Sequence, residues 1–593
     1  MTTPMLPPPS ALLGLTDNRF GDWYEGQDKV FSQLISWFHD KPRFVGAAVP
    51  TGGGKSLSAL LLAKMSGART VIITSTKGLQ DQYKKDSDPL GGAVVVGQNN
   101  FRCLLVPTLS ADQGPCHDGL PCQLKQSACP YQLQLQKALK AKIVITNYAY
   151  YLAQTNYSLG LGEIGLLIGD EAHQAFSALE NFLTIYLSRL EVELLGIQLP
   201  HIIDPPPPPK TNAKAHQKGK ATPVYVNEYQ DTDSLPESPE SVIPGSVTPC
   251  SGEPAGEPTT DKPPSAWAQW RSWAELSLPT AKEALARVES DIKAKRSSGE
   301  LVPSSVSRVY RSAKTVAIRL EQLSKLDDED WVIQPTKHGY SFTPVWVAKH
   351  SSKLFGDVPK IMLMSAILSR KTADSLGVPQ PPDCSWVEAE SYFPPENTPI
   401  WHIPTARINY RTDDYGSTIW VSRIDQIIDR RLDRKGIIFT VSYDRARLLL
   451  QRSRHRDIML THSTWDVVQV VNRFKAMPAP AVLVSPSVTT GWDFPQATTG
   501  VRYLIAGKLP YPDTMNPVTK ARHEDDKDWS SFMAMETLIQ SLGRATRSAT
   551  DRVECFVCDD SAVWYLAKYA KFAPKWFMAR YCGSKTCVPD PLV

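Results

Sequence analysis

The segment from Phe44 to Met65 limits what this chain can fold into more than any other part of it. An unbroken aliphatic run, Phe44 to Val49, passes through Pro50, Thr51, Gly52, Gly53, Gly54, Lys55 and Ser56 into the helix-forming Leu57 to Met65. A short run that is apolar on both faces suits a strand covered on both sides, as in a parallel sheet flanked by helices. Three glycines between strand and helix let the backbone fold round an anion, with N–H groups and a helix N-terminus turned toward negative charge. The predicted feature is a phosphate loop, with the Thr51–Gly54 backbone round the anion, Lys55 on the β and γ phosphates and Ser56 on Mg²⁺. The full pattern would begin with glycine where this chain has Val49, and an ordinary glycine-rich turn is the alternative.

Strand-like runs recur at Thr70–Ile73, Ile143–Ile145 and Leu166–Ile168, then at Lys360–Met364, Gly436–Phe439, Ala481–Val484, Val501–Ile505 and Val553–Val557. Between the two sets, Trp267–Lys295 and Ser304–Lys325 read as long amphipathic helices. The expected fold class is therefore α/β, two parallel-sheet blocks with a mostly helical insertion in the first. The Leu166–Ile168 run ends in Gly169, Asp170, Glu171, Ala172 and His173. Adjacent carboxylates at the end of a buried strand are costly unless they meet a cation or a reacting water. Asp170 is expected to hold the Mg²⁺ water shell, and Glu171 to orient and deprotonate the attacking water. Standing alone, the same residues could cap a helix.

Composition adds exclusions. With 42% apolar and 21% charged residues and no apolar run long enough to span a bilayer, neither a disordered nor a membrane-embedded chain is expected. Met1 to Ser10 holds four prolines and no basic residue, unlike a secretory signal, so a cytoplasmic location is expected. A net charge of +4 is too small to argue for nucleic acid, so any polyanion site must be local. Of 48 prolines, 14 fall between Asp204 and Pro264, and that stretch reads as a linker or solvated insertion because it lacks the large aliphatics needed for a core. Cys103, Cys116, Cys122 and Cys129 are separated by 12, 5 and 6 residues. Four thiolates suit zinc or an iron–sulfur cluster, and spacing leaves the metal open. Cys555 and Cys558, with Cys582 and Cys587, make a weaker second candidate, because positions i and i+3 of a strand face opposite sides.

Gly52–Ser56, Thr74–Gln80 and Asp170–His173 resemble, in order, the first motifs of superfamily-two helicases of the DinG and XPD branch. Met364-Ser365-Ala366 resembles the coupling motif, with Ile367 in place of threonine, and Ile438-Phe439-Thr440 with Ser442 resembles the opening of a second motor domain. Gly491-Trp492-Asp493 resembles the nucleotide- and strand-sensing loop, and Gln540, Gly543, Arg544 and Arg547 match the motif that closes the set. The resemblance implies two RecA-like motor domains around ATP, with Arg544 and Arg547 stabilising transition-state charge from across the cleft. Their i, i+3 spacing predicts one helix face. It also implies that Gln27, within Tyr24–Gln27, reads the adenine, and that the four-cysteine segment binds a 4Fe-4S cluster.

The domain organisation then expected is a first motor domain over 1–96, a four-cysteine insertion over 97–140, and more of the motor domain over 141–185. An arch insertion follows over 186–345, including the proline-rich 204–264; the last strand of the first motor domain lies in 346–375, and the second motor domain spans 376–593. The expected activity is ATP-dependent 5′-to-3′ movement on single-stranded DNA as a helicase, with forked or R-loop DNA as partners and a monomeric state. Lys77, Gln80, Arg308, Arg311 and Lys314 are candidate strand contacts. The alternatives are a protein-displacing or R-loop-acting translocase recruited by a guide-RNA complex, as in phage or type IV CRISPR-associated relatives, and a nucleic-acid-binding module with an inactive motor.

Overall fold

The computed structural model describes residues 6–15, 20–116, 122–125, 127–158, 160–200, 266–298, 300, 302–326, 330–489 and 491–592. The proline-rich stretch lies outside them. Strands β1 (Phe44–Ala48), β2 (Thr70–Thr74), β3 (Ala93–Val94), β4 (Ile143–Asn147) and β5 (Leu166–Asp170) begin the first sheet. A separate antiparallel sheet interrupts it, with β6 (Ile185–Ser188), β7 (Trp331–Thr336) and β8 (Gly339–Pro344) in the order β6-β8-β7. The first sheet resumes with β9 (Lys360–Ser365) and β10 (Cys384–Glu388), giving the all-parallel order β10-β1-β9-β5-β2-β4-β3.

The second sheet is also parallel and seven-stranded. Strands β11 (Ile400–His402), β12 (Lys435–Phe439), β13 (Met459–Leu460), β14 (Ala481–Ser485), β15 (Val501–Ala506), β16 (Glu554–Val557) and β17 (Tyr581–Ser584) run in the order β13-β14-β12-β15-β16-β11-β17. Its inner strands β12, β14 and β16 are buried along their whole length, and β15 everywhere but at Arg502, as the aliphatic runs require.

Two expectations change. The first lobe does not end at 375, because β10 pairs with β1 from Phe44↔Cys384 to Ala48↔Glu388, so the passage to the second lobe lies between Glu388 and Ile400. β10 escaped the sequence reading because it is an edge strand, half-buried at Ser385 and Trp386 and exposed at Glu388. The insertion is helical over Ala266–Ser297 and Ser304–Ser324, but those helices share their core with the three-stranded sheet: Trp270, Ala274, Val316 and Leu320 pack with Leu187 and Phe342.

The lobes touch along a second contact. Trp529 and Phe532, from the helix Trp529–Leu542 of the second lobe, join the apolar core of the first, and Trp529 meets Phe176 and Trp346 at centroid separations of 5.2 and 4.9 Å. Arg522 donates to Glu180 Oε1 at 2.8 Å and to the Val345 carbonyl at 2.6 Å. No helix among the described residues is long and apolar enough to cross a membrane.

Candidate functional site

The order β1-β9-β5 brings together three strand ends whose residues are far apart in sequence: the glycine loop after β1, Ser365 closing β9 and Asp170 closing β5. Gly52 and Gly54 have φ of +80° and +76°, where an L side chain is strained. A Cβ on Gly54 would lie 1.8 Å from Gln27 Nε2. Gly54 precedes the helix Lys55–Met65, and its carbonyl accepts from the Ser58 N–H at 2.9 Å. That peptide therefore points the Lys55 N–H back into the loop. Lys55 Nζ stands 3.4 and 3.5 Å from the Val49 and Pro50 carbonyls.

Asp170 is surrounded by donors. The buried Tyr83 hydroxyl gives Oδ2 a hydrogen bond at 3.0 Å, the Glu171 N–H gives Oδ1 one at 2.8 Å, and Tyr148 bonds the Asp170 carbonyl at 3.1 Å. Burial, then the neighbouring Glu171, raises the Asp170 carboxyl to about 7 against the pull of Lys55 and those donors. Glu171, at φ +52°, goes the other way. Burial would raise it, but Lys55, His173, Arg544 and Arg547 outweigh burial and hold its carboxyl below the usual range. Burial also takes the His173 imidazole down to about 4, so it is neutral near pH 7. His173 Nδ1 meets Ser365 Oγ at 2.7 Å, and Ser365 Oγ accepts from the Ile367 N–H at 3.2 Å, which ties the two motifs at one point.

The second lobe completes a cleft of about 610 Å³. From the first lobe, Thr51, Gly52, Gly54, Lys55, Ser56, Asp170, Glu171 and His173 line it; from the second, Gly491, Trp492, Asp493, Gln540, Gly543, Arg544 and Arg547 do. The two arginines do not share a helix face, as their spacing predicted. The helix ends at Leu542 with Gly543 as its C-cap, and both arginines lie in the turn beyond it. There Arg544 donates to the Thr489 and Trp492 carbonyls at 2.7 and 2.9 Å, and Arg547 pairs with Asp493 and donates to the Gly543 carbonyl at 2.9 Å. Burial, then Arg547, lowers Arg544 to about 10, so it still carries its charge at neutral pH.

Other predicted residues fall elsewhere. Gln27 is buried and does not line the cleft; its Oε1 accepts from the Tyr24 N–H at 3.1 Å and its Nε2 faces the Gly54 carbonyl at 3.5 Å. Tyr24 and Phe20 line the cleft instead. Gly53 is turned inward, its N–H donating to the Pro50 carbonyl at 3.0 Å. Gln80 is buried at 2% exposure, which does not fit an open strand contact, and the Lys77 side chain lies outside the described residues. Arg308 and Lys314 are exposed, while the half-buried Arg311 donates to the Ser307 carbonyl at 3.3 Å.

Of the cysteines, Cys116 lies within electrostatic reach of Cys122, Cys103 and Cys129, its thiol raised first by burial and then by Cys122. Even so, no group of three or more His, Cys, Asp or Glu side chains among the described residues is arranged to hold a metal ion. Burial raises Cys555 to about 11 and Cys558 further, and Cys582 and Cys587 are exposed. Sequence reasoning missed Trp576, which lines the cleft, and Tyr83 and Tyr148, whose buried rings carry the hydroxyls that bond Asp170.

Residues 428–580 match the family model for a helicase C-terminal domain. No curated protein matches the sequence. Among solved structures the chain is similar to an XPD helicase, at 14% identity and a TM-score of 0.59, covering 95% of this chain and 100% of that one. It is also similar to Xpd4 of S. tokodaii, at 13% identity and a TM-score of 0.52 over 94% of this chain and 100% of that one. A structure described as apo XPD aligns at 12% identity and a TM-score of 0.55, covering 92% and 98%.

Proposed function

We propose that this chain, a superfamily-two helicase of the XPD and DinG branch in fold, hydrolyses ATP in the cleft between its lobes and uses the cycle to move along single-stranded DNA. One observation carries the reading: Lys55 from the first lobe and Arg544 and Arg547 from the second line one cleft with the same carboxylate, Glu171. Glu171 is kept ionised by Lys55 of its own lobe and by Arg544 and Arg547 of the other. An ionised glutamate beside a neutral histidine can orient water and take its proton. Lys55 and the two arginines supply positive charge where phosphoryl transfer spreads negative charge over the phosphate oxygens. Because the arginines come from the far wall, hydrolysis depends on how the lobes stand to each other, and that dependence links chemistry to movement.

Asp170 and Ser56 fit a Mg²⁺ ion, since a carboxyl and a hydroxyl, both hard oxygen donors, lie against Tyr83 and line the same cleft. Bound there, the ion would neutralise phosphate charge. The donor chemistry of Cys103, Cys116, Cys122 and Cys129 fits an iron–sulfur cluster, which we assign to them. Iron and sulfide analysis of protein purified without oxygen is expected to give about four irons, as four-cysteine ligation of a 4Fe-4S cluster requires; colourless, fully active protein would remove that assignment. For the motor, the test is ATP turnover with single-stranded DNA, duplex DNA and RNA, together with strand displacement on forks tailed at either end. Stimulation by single-stranded DNA and unwinding from a 5′ tail are expected. Absence of nucleic-acid-stimulated turnover would overturn the reading.

A further inference from the structure

The connector between the lobes is packed on the phosphate loop and hydrogen-bonded to it. Tyr392 lies between β10 and β11, and its hydroxyl donates to the Gly52 carbonyl at 2.8 Å. Its ring stacks on Tyr24, with centroids 5.5 Å apart and planes 24° from parallel, and packs edge-on against Phe393 at 4.6 Å. Phe393 covers Gly52 so closely that a Cβ there would lie 2.3 Å from the ring. The connector is thus seated on the loop by two adjacent aromatic residues.

The other side of the same peptide is also engaged. The carbonyl of Gly52 and the N–H of Gly53 belong to one trans peptide plane and point opposite ways. Tyr392 holds the carbonyl, and the N–H closes a turn onto the Pro50 carbonyl at 3.0 Å. The φ of +80° at Gly52 is what the third residue of a type II turn requires. Lys55 Nζ stands 3.5 Å from that same Pro50 carbonyl. In this arrangement two donors that a phosphate would use are turned toward one protein acceptor.

We propose that Tyr392 is a positioning residue for nucleotide: its hydroxyl holds the loop in the turn that withholds the Gly53 N–H, and an entering phosphate breaks that contact. To accept an anion, the Gly53 N–H must leave Pro50 and the peptide must rotate. Rotation carries the Gly52 carbonyl away from Tyr392 and unseats the connector, so occupancy of the loop is transmitted to the segment on which the lobes turn. The inference rests on the nucleotide reading of the cleft.

The test compares the full-length wild type with Tyr392→Phe, which keeps the ring and its stacking. Binding of a non-hydrolysable ATP analogue with Mg²⁺ is measured by titration, alongside KM and kcat for ATP and the melting temperature. Loss of the hydroxyl is expected to tighten analogue binding and lower KM by roughly two- to tenfold, the worth of one hydrogen bond, with an unchanged melting temperature. A tyrosine that merely supported the loop would weaken binding on removal. Unchanged or weaker analogue binding by Tyr392→Phe would overturn the inference. A wild type that binds no analogue at all would instead remove the nucleotide reading, and this inference with it.

Discussion

At Glu171 one carboxylate answers to four cationic or histidine neighbours drawn from both lobes, which together hold it ionised against its burial. Replacing Lys55 with Ala removes the strongest of these attractions and the group expected to face the phosphates. Nucleic-acid-stimulated ATP turnover is expected to fall to background in a steady-state assay, and retained turnover would disprove the phosphate-loop assignment. Arg544→Ala and Arg547→Ala are each expected to lower kcat by about a hundred- to a thousandfold, the usual cost of removing one preorganised charge donor, while nucleotide affinity changes less. Measuring kcat and analogue binding separately distinguishes that from simple loss of affinity. The residues legible in the sequence were those whose motif carries its own geometry: the glycine loop and the strand-end carboxylates come to one cleft as whole motifs, because neighbours in sequence are neighbours in space. Gln27, Gln80 and the Tyr83 hydroxyl were not legible. Tyr83 takes its partner from elsewhere in the fold, Gln27 divides its amide between the nearby Tyr24 N–H and the distant Gly54 carbonyl, and no local pattern marks a glutamine as one that will be buried.

Among the elements, the helix Trp529–Leu542 joins the lobes and delivers the arginines, and it carries a buried acid that catalysis does not use. Glu536 is 5% exposed and accepts a hydrogen bond from Thr372 of the first lobe at 2.9 Å. Burial pushes its carboxyl up to about 8, more than the Thr372 hydroxyl draws it down. A folded-state value raised above the unfolded one means that the protonated form is favoured by folding. That contribution is complete below the ordinary glutamate range, near 4, and is lost as pH rises toward 8. Glu536→Gln stays neutral and keeps an oxygen for Thr372. Its melting temperature relative to wild type is therefore expected to climb by a few degrees between about pH 5 and pH 8 and then level off. A pH-independent difference in thermal melts would show that the acid is solvated. Sequence located the central strands of both sheets because full burial leaves continuous aliphatic runs. It missed β3, β10, β11, β13 and β17, which are short or lie at or near sheet edges and need no such run, and the whole three-stranded sheet of β6, β7 and β8. It also extended a helix through Arg544 and Arg547, where Gly543 stops it.

For the molecule as a whole, the question is whether the proline-rich stretch is needed to assemble the two lobes and the insertion. The described residues on either side of it already meet. Trp273 Nε1 donates to the Gln198 carbonyl at 2.8 Å, and Ile197, Trp270 and Ala274 share one apolar core with the three-stranded sheet. The ends are therefore held by packing of the segments that flank them, and a shorter bridge has only to span a gap that the core has already closed. Loop-closure entropy changes slowly with length, by about 0.6 kcal/mol per doubling, so shortening the connection has little thermodynamic effect in either direction. Replacing 205–264 with a short glycine–serine bridge is expected to leave stimulated ATP turnover within about twofold of wild type and the melting temperature within a few degrees, because described residues alone already build the cleft and the Trp529 contact between the lobes. Both measurements are needed. A large loss of melting temperature would mean that the stretch packs against the insertion, whereas lost turnover at unchanged melting temperature would mean that it reaches the cleft or the strand.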